Sequence, residues 1–369
     1  MSPTVRAAVM SAPGRPIETR ELPEPTLEPD SALLAVELSE VCGTDVHLQQ
    51  GRLAGVPYPL IPGHVTVGRL EKIRGHLRDI NGRAFEEGDR VTFLDVHRTC
   101  HACWHCLVAK ASTRCPRRKV YGITYGLDDG LTGGWAEKLY LKPGTFVLRL
   151  DDVDAEGFMA GGCSLPTALH AVDRAAIRIG DTVLVLGSGP VGWSAIAFAK
   201  MAGAGRVFCI GAPGNRLEIA RRVGADEVLD FTKCDEAGRG DWVRTRTGGR
   251  GADITIEATG APAAVAQALQ WTRDAGRVVI VGQYTDHGEV SINPHLNLNR
   301  KHLEVYGCWG SDYSHFHRAV DILRYPARAE AWSGISTERF GLDEANDAIA
   351  AVETGAVGKA LIDPSRIQR

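Results

Sequence analysis

The chain has 369 residues, of which 44% are hydrophobic and 24% are charged, and its formal net charge is −3. This composition is typical of a globular enzyme, the balanced charge excludes a basic nucleic-acid-binding surface, and the length favours two domains. We expect no signal peptide and no membrane span, because no charged segment precedes an apolar one and no apolar run approaches about 18 residues. Nine cysteines without an export signal favour metal binding in a reducing cytoplasm over a disulfide framework.

The first part of the chain, to about residue 160, is rich in proline, glycine and short β-branched runs. Runs of this kind predict strands at Val5–Met10, Ala32–Leu38 and Arg90–Leu94, separated by turns such as Gly88-Asp89. We therefore expect an irregular, mostly β domain.

From about residue 181 the sequence alternates between apolar strands and helical runs, which predicts βαβ units and a parallel sheet buried on both faces. The predicted strands are Thr182–Leu186, Arg206–Ile210, Glu227–Leu229, Asp253–Ile256 and Arg277–Val281. The predicted helices are Pro190–Met201, Arg216–Val223, a polar helix around Asp241–Thr247, and Pro262–Thr272. After about residue 302 the alternation fades into helices at Tyr313–Leu323 and Asp343–Val352, and we expect this tail to return to the first domain.

A glycine-rich turn follows the first of these strands and opens a predicted helix. Its sequence is Gly187-Ser188-Gly189-Pro190-Val191-Gly192. In this context the glycines allow a tight turn, close approach of the backbone to a pyrophosphate, and close helix–strand packing. A purely structural turn is the alternative, but the strand–turn–helix order favours a dinucleotide site at Gly187, Gly189, Pro190, Val191 and Gly192.

The position that would bind the adenosine ribose lacks an acidic residue. Gly211 stands about 20 residues after the turn, where an NAD site has an acid for the ribose hydroxyls. Arg216 follows and is a candidate for binding a 2′-phosphate, for lining the ribose, or for a solvated helix position. The sequence leaves the choice between NAD and NADP open.

Four cysteines lie close together with the spacing of a metal site. They are Cys100, Cys103, Cys106 and Cys115. Four thiolates complete a tetrahedral zinc shell with no open position, so the predicted role is structural. The interleaved histidines are His97, His101 and His105. We expect these histidines to be surface residues, because the cysteines already fill the shell.

A second group of metal-binding residue types is spread along the chain. The segment Val41–His47 contains a thiol, a hydroxyl, a carboxylate and an imidazole, and His64 and Cys163 also lie beside glycines. The thiols of Cys42 and Cys163 with the imidazole of His64 would leave one zinc position open, as a catalytic site requires. Taken singly, each of these residues is more often structural.

Together these motifs resemble the zinc-dependent alcohol dehydrogenases of the medium-chain dehydrogenase/reductase superfamily. The landmarks stand in the family's order: Cys42 to His47, Gly63-His64, Gly88 to Val91, the four cysteines, Gly133 to Glu137, Cys163 with Thr167-Ala168, the glycine turn, and Gly355 to Lys359. The resemblance implies an α/β protein with a GroES-like β-rich catalytic domain and a Rossmann domain with a doubly wound parallel sheet. The implied boundaries are 1–164, with a structural zinc lobe at about 95–120, then 165–302, and a return to the catalytic domain at 303–369.

The resemblance also implies roles for individual residues. The catalytic zinc ligands would be Cys42, His64 and Cys163. Asp45 would hydrogen-bond the ligand histidine, Thr44 would take the substrate's proton, His47 would end the relay to solvent, and Lys359 would lie near the pyrophosphate. One departure from the family is Val65, which stands where an acid usually follows the histidine. We expect its absence to make the zinc site less negative and the metal a stronger Lewis acid.

The implied reaction is the interconversion of an alcohol and an aldehyde or ketone, with one catalytic and one structural zinc per chain and NAD or NADP as the hydride carrier. Two alternatives remain: a zinc-independent reductase of activated double bonds, and a non-enzymatic cofactor-binding protein. The expected partner is a small alcohol or carbonyl compound, without nucleic acid or membrane, in a cytoplasmic homodimer or homotetramer. The sequence does not predict the substrate.

Overall fold

The computed structural model describes residues 3–367, which divide into two compact units. The first unit holds Cys163 and everything before it, together with Asp312–Ala329 and the segment from Ser333 onward; the second holds Ser164–Ser311 and Glu330–Trp332. The strands are β1 (Thr4–Val9), β2 (Glu18–Pro23), β3 (Ser31–Val41), β4 (Thr66–Arg74), β5 (Arg90–Phe93), β6 (Lys138–Leu141), β7 (Val147–Arg149), β8 (Thr182–Leu186), β9 (Arg206–Gly211), β10 (Glu227–Asp230), β11 (Ala252–Glu257), β12 (Thr272–Ile280), β13 (Glu304–Gly307), β14 (Thr337–Phe340) and β15 (Lys359–Ile362). The helices are α1 (Gly43–Gln49), α2 (Trp104–Leu107), α3 (Ala155–Gly161), α4 (Ser164–Ala175), α5 (Pro190–Met201), α6 (Gly214–Arg222), α7 (Glu236–Arg246), α8 (Pro262–Trp271), α9 (Tyr313–Leu323), α10 (Pro326–Ser333) and α11 (Ala345–Thr354).

The first unit is built around the long strand β3. This strand belongs to a sheet of order β14-β15-β3-β4-β5-β7, and β6 also pairs with it. All of these pairings are antiparallel except that between β14 and β15. Two register shifts interrupt the pairing of β3 with β4, at Leu33/Leu34 and Val36/Leu38. Bulges of this kind bend a strand, which suits the curved sheet of a GroES-like fold.

The residues next to the ends of these strands form the functional site. Strand β3 runs directly into Cys42, and β4 begins two residues after His64. The N–H of Glu40 donates to the carbonyl oxygen of Val65 at 2.9 Å, so the two segments stay paired up to the site. Strand β15 pairs antiparallel with the end of β3, where Leu361 lies opposite Glu40. Residues far apart in sequence therefore meet at one corner of the sheet.

The second unit contains a six-stranded parallel sheet of order β10-β9-β8-β11-β12-β13. Numbered within the unit this order is 3-2-1-4-5-6, the doubly wound order of dinucleotide-binding domains. Every residue of β8 is buried, as expected for a strand covered on both faces. The order reverses between β8 and β11, and ligands bind at the carboxyl ends of strands at such a reversal.

The α/β prediction is confirmed. Strand Thr182–Leu186 and helices Pro190–Met201 and Tyr313–Leu323 have the predicted ends. Helix α7 begins earlier than predicted, because the Asp235 carboxylate accepts a hydrogen bond from Gly238 N at 2.8 Å and caps a glycine-containing first turn. The second unit also continues past the expected boundary at 302, since β13 pairs with β12.

The remaining differences are helices that the sequence pattern did not predict, namely α1, α3 and α4. Between residues 3 and 367, no helix is both long and apolar enough to cross a membrane.

Candidate active site and metal centres

Cys42 is fixed at the N-terminus of helix α1 by reciprocal capping. Its Sγ accepts a hydrogen bond from the backbone N–H of Thr44 at 3.3 Å, and its own N–H donates to Oδ2 of Asp45 at 2.8 Å. This arrangement is a capping box in which a thiol replaces the usual hydroxyl. The cap holds the sulfur at the end of β3 with its lone pairs turned towards the helix start.

His64 is fixed by the glycine that precedes it. Gly63 has φ +91°, and a Cβ there would lie 2.5 Å from Cδ1 of Trp135 and 2.6 Å from Oγ of Ser39. Only glycine fits this turn, since both the backbone angle and the packing exclude a side chain. The turn brings Nε2 of His64 to 3.8 Å from Sγ of Cys42.

Cys163 completes this group. It follows α3 and Gly162, which has φ +52°. The backbone N–H of Cys163 donates to Oε2 of Glu40 at 2.6 Å, and its Sγ lies 3.2 Å from Oε1 of the same carboxylate. The residue is therefore held by main-chain and side-chain contacts to β3.

The ligand atoms of Cys42, His64 and Cys163 all lie within 4.8 Å of one another. In a tetrahedral zinc site, sulfur and nitrogen ligands are about 3.5 Å apart, close to the separation of Cys42 Sγ and His64 Nε2. Two soft sulfurs and one imidazole nitrogen are the donor set that zinc prefers, and three protein ligands leave a fourth position for substrate. The three predicted ligands thus fit a catalytic zinc.

The electrostatics of this cluster favour a cation. A hydrogen bond from Cys163 lowers the pKa of Cys42 well below its usual value, and the same shared proton with burial raises the pKa of Cys163. Burial alone lowers the pKa of His64, but the charge and hydrogen bond of Cys42 outweigh it and raise the pKa to about 10. The cluster therefore holds protons between its ligand atoms, and a metal that binds there displaces them.

Asp45 and His64 do not form the expected hydrogen bond. Asp45 is fully buried, and burial raises its pKa well above the usual value. Within residues 3–367, neither Oδ1 of Asp45 nor Nδ1 of His64 has a hydrogen-bond partner, although both atoms are buried. The expected interaction is replaced by the cap from Asp45 to the Cys42 backbone. Such orphaned atoms beside the ligands are typical of a site whose histidine settles when a metal binds.

Thr44 and His47 lie together on helix α1. They are three residues apart, which places them on the same face of the helix next to Cys42. Both side chains are partly exposed, and Nδ1 of His47 is buried. The structure thus brings the hydroxyl and the imidazole of the expected proton relay to the side of the metal cluster.

Lys359 requires a correction. The resemblance implied a basic residue near the cofactor pyrophosphate, but Lys359 is only 3% exposed and its Nζ pairs with Oε1 of Glu40. Burial lowers its pKa, yet the negative charges of Glu40, Cys163 and Cys42 outweigh burial and raise the pKa above its usual value. The pairing of β15 with β3 buries this lysine behind the cluster, so it cannot reach a solvent-facing phosphate.

Glu40 is the site residue that sequence reasoning missed. It has no solvent exposure and contacts both Cys163 and Lys359. The available signals were an acid inside the apolar strand β3, two residues before Cys42, and a lysine opening the apolar strand β15.

The four-cysteine cluster is assembled as predicted. The ligand atoms of Cys100, Cys103, Cys106 and Cys115 lie within 4.8 Å of one another, and the Cys103 and Cys106 sulfurs are 3.6 Å apart. That separation approaches the edge of a tetrahedral Zn–S₄ site, about 3.8 Å. The Cys100 N–H also donates to Cys115 Sγ at 3.3 Å. A hydrogen bond from the Ala102 backbone lowers the pKa of Cys100 to about 6, which favours the thiolate that zinc binds.

The interleaved histidines stand apart from this cluster. His97 is hydrogen-bonded through Nδ1 to the Tyr125 hydroxyl and through Nε2 to the Pro143 carbonyl, and His101 Nε2 lies 3.2 Å from Thr99 Oγ1. Neither these two nor His105 belongs to the metal-binding groups found in the described part of the chain.

The glycine turn forms a compact loop between β8 and α5. Gly187 has φ +113°, and a Cβ on Gly192 would overlap the Gly187 carbonyl, so both positions require glycine. Gly189 caps α5 and Pro190 is its first residue, followed by Val191. A Cβ on Gly189 would meet no atom within 4 Å. This open space beside a helix N-terminus is suited to a pyrophosphate.

The end of β9 has no room for a ribose-binding acid. A Cβ on Gly211 would lie 2.5 Å from Cβ of Ser188 and 2.9 Å from its backbone N. Arg216 lies in the first turn of α6, where its backbone carbonyl accepts a hydrogen bond from Trp193 Nε1 at 3.0 Å. Burial lowers the pKa of Arg216, and its buried Nε has no hydrogen-bond partner in residues 3–367.

Comparison with known proteins agrees with this geometry. Residues 28–152 match the alcohol dehydrogenase GroES-like domain family, and residues 190–324 match the zinc-binding dehydrogenase family. The chain is 34% identical to 5-exo-hydroxycamphor dehydrogenase of Pseudomonas putida over 97% of this chain and 98% of the relative. This chain belongs to the zinc-type alcohol dehydrogenases of the medium-chain dehydrogenase/reductase superfamily.

Solved structures support the same assignment. An alcohol dehydrogenase from Thermotoga maritima superposes with a TM-score of 0.92 at 31% identity, covering 99% of this chain and all of that one. A structure from Sinorhizobium meliloti bound to NADP superposes with a TM-score of 0.83 at 27% identity, covering 98% of this chain and all of that one. The alcohol dehydrogenase is an oxidoreductase that interconverts an alcohol and a carbonyl compound.

Proposed function

We propose that this alcohol dehydrogenase is zinc-dependent, acts on secondary alcohols and uses NADP in preference to NAD. The observation that carries the proposal is the buried cluster of Cys42, His64 and Cys163, which offers three ligands and leaves one tetrahedral position free. Zinc bound there supplies Lewis acidity, which lowers the pKa of an alcohol hydroxyl.

Proton transfer is assigned to two residues of helix α1. The Thr44 side chain lies next to the cluster because its backbone N–H is hydrogen-bonded to Cys42 Sγ. Its Oγ1 accepts the substrate's hydroxyl proton and donates its own towards solvent. His47, one helical turn further along the same face, receives the proton at the end of this path.

Cofactor binding is assigned to the glycine turn and to Arg216. The N-terminus of α5, at Gly189 and Pro190, offers unpaired N–H groups and a favourable helix dipole to the pyrophosphate. The absence of an acid at Gly211 removes repulsion against a 2′-phosphate, and the unpaired Nε of Arg216 offers a donor to it. These two features support the preference for NADP.

The substrate class rests on the Pseudomonas putida relative, whose named substrate, 5-exo-hydroxycamphor, is a secondary alcohol. The same reaction class here would make a ketone from a secondary alcohol. We also propose a cytoplasmic homodimer or homotetramer, to be tested by light scattering.

The proposal is tested by assaying primary and secondary alcohols with NAD and NADP separately, on protein with measured zinc content. We expect two zinc atoms per chain, faster turnover of secondary alcohols, and a higher kcat/KM with NADP. A Cys42→Ser variant should retain its fold and lose turnover. Full activity in that variant, or activity with zinc only in the four-cysteine cluster, would instead support the zinc-independent reductase. Absence of cofactor reduction with every alcohol would support the non-enzymatic alternative.

A further inference from the structure

Glu40 places a fully buried carboxylate directly behind the catalytic cluster. The side chain has no solvent exposure, and its partner Lys359 is only 3% exposed. Removing two charges from water costs several kcal/mol per ion unless geometry and hydrogen bonds compensate. Their retention at one corner of the sheet therefore points to a specific task for the pair.

The hydrogen bonds of Glu40 are directed at Cys163. Oε2 accepts the backbone N–H of Cys163 at 2.6 Å, while Oε1 lies 3.2 Å from its sulfur and also accepts a hydrogen bond from Lys359 Nζ. One carboxylate thus contacts both the main chain and the ligand atom of a single metal-binding residue. Of the three ligands, Cys163 is the one that follows a left-handed glycine and depends on this contact for its place.

We propose that Glu40 and Lys359 are positioning residues for Cys163, which fix its sulfur for zinc and balance the charge behind it. This inference rests on the proposed zinc-dependent function. When zinc is bound, Cys163 is a thiolate, and the Glu40 carboxylate then lies beside a like charge. The Lys359 ammonium group on the same carboxylate oxygen offsets that repulsion. Zinc with two thiolates and the Glu40–Lys359 pair are each formally neutral.

The pair also changes the expectation drawn from Val65. The sequence predicted a less negative site, because Val65 replaces the acid that usually follows the ligand histidine. Glu40 supplies a carboxylate from the neighbouring strand, and its N–H donates to the Val65 carbonyl at 2.9 Å. Lys359 neutralises that carboxylate, so the site gains an anchor for Cys163 without a net charge.

Single substitutions should unbalance the pair in opposite ways. Lys359→Met leaves a buried carboxylate against the Cys163 thiolate. Glu40→Gln leaves a buried ammonium group, and its amide cannot accept hydrogen bonds from both the Cys163 N–H and Lys359, because one end of the amide is a donor. The double variant Glu40→Gln/Lys359→Met removes this conflict. Its amide oxygen accepts the Cys163 N–H, and its amide nitrogen donates to the thiolate.

The test measures zinc affinity by chelator competition, together with the thiolate-to-cobalt charge-transfer band of the Co²⁺-loaded protein. We expect each single variant to bind the catalytic zinc about 10- to 100-fold more weakly and to change the cobalt band. The double variant should return to within about threefold of the wild type. Equal zinc affinity in wild type and single variants, or additive losses in the double variant, would overturn the inference.

Gly162→Ala tests the same contact without changing charge. A Cβ on Gly162 would lie 2.6 Å from Cδ of Glu40, so it must displace the carboxylate. We expect the same loss of zinc affinity as in Glu40→Gln, and unchanged affinity would count against the proposal even if another variant failed to fold.

The matched control is Arg149→Met/Asp89→Asn, which removes an ion pair of similar burial on the Arg149 side, at strands β5 and β7. It should lower the melting temperature and leave zinc affinity unchanged. A wild type that binds no zinc at Cys42, His64 and Cys163 would refute the proposed function itself, whereas a zinc-loaded wild type with unaffected variants would refute only the role of Glu40 and Lys359.

Discussion

The backbone N–H of Thr44 donates to Sγ of Cys42 at 3.3 Å, so the proton-accepting residue is tied to the metal ligand through its main chain. The Thr44 side chain is therefore free for chemistry, and its loss should leave the cap intact. We predict that Thr44→Ala keeps its zinc content and lowers kcat by about 10²- to 10⁴-fold. Thr44→Ser, which keeps the hydroxyl, should retain most of the activity in steady-state assays. Equal kcat in Thr44→Ala and wild type would exclude the proton role.

Cofactor choice should respond to Gly211 only when Ser188 is changed as well. A Cβ at Gly211 would lie 2.5 Å from Cβ of Ser188, so Gly211→Asp alone should weaken both cofactors and lower the melting temperature. Ser188→Gly/Gly211→Asp makes room for the acid, which binds ribose hydroxyls and repels a 2′-phosphate. We expect the kcat/KM ratio of NAD to NADP to rise at least about tenfold, or ~1.4 kcal/mol.

The control for this prediction is Ser188→Gly alone, which should bind both cofactors with little change in their ratio. A wild-type enzyme that already prefers NAD would contradict the role assigned to Gly211 and Arg216.

The four-cysteine cluster should stabilise the protein without taking part in turnover. Cys115 is its most buried ligand, at 5% exposure. We predict that Cys115→Ser lowers the zinc content from two atoms to one and lowers the melting temperature, because a closed zinc site contributes directly to folding. The remaining zinc should still support activity below the melting temperature. Cys234→Ser, outside both clusters, is the matched control and should keep both zinc atoms.

The second unit was the more predictable part of the fold. Its strands and helices are set by local hydrophobic periodicity, so Thr182–Leu186 and Pro190–Met201 could be placed from neighbouring residues alone. The four cysteines were equally local, since they span residues 100–115. Short-range spacing therefore carried most of the correct prediction.

The contacts of Glu40 could not be read in the same way. Its partner Lys359 lies 319 residues further along the chain, and the two meet only because β15 pairs with β3. Family resemblance assigned Lys359 to the cofactor, whereas the burial of both residues depends on sheet topology. Similarly, the contact of Asp45 with the Cys42 backbone depends on helix α1, which the sequence pattern did not predict.

Asp312 should make stability depend on acid pH. It caps helix α9 and its carboxylate lies 2.8 Å from Nδ1 of His315; the hydrogen bond to His315 holds the pKa of Asp312 well below its usual range. A pKa lowered by folding stabilises the protein above the unfolded pKa, about 3.9, and this contribution is lost as the pH falls through the folded pKa.

We therefore predict that Asp312→Asn, which keeps the cap but not the charge, lowers the free energy of unfolding by roughly 1 kcal/mol at pH 6, since the Asp312 side chain is 37% exposed and solvent screens its pairing. The difference from wild type should shrink below about pH 4. Urea unfolding of both proteins between pH 3 and 7 measures this difference, and because zinc loss at low pH affects both alike, it largely cancels. A difference that grows on acidification would contradict the assignment.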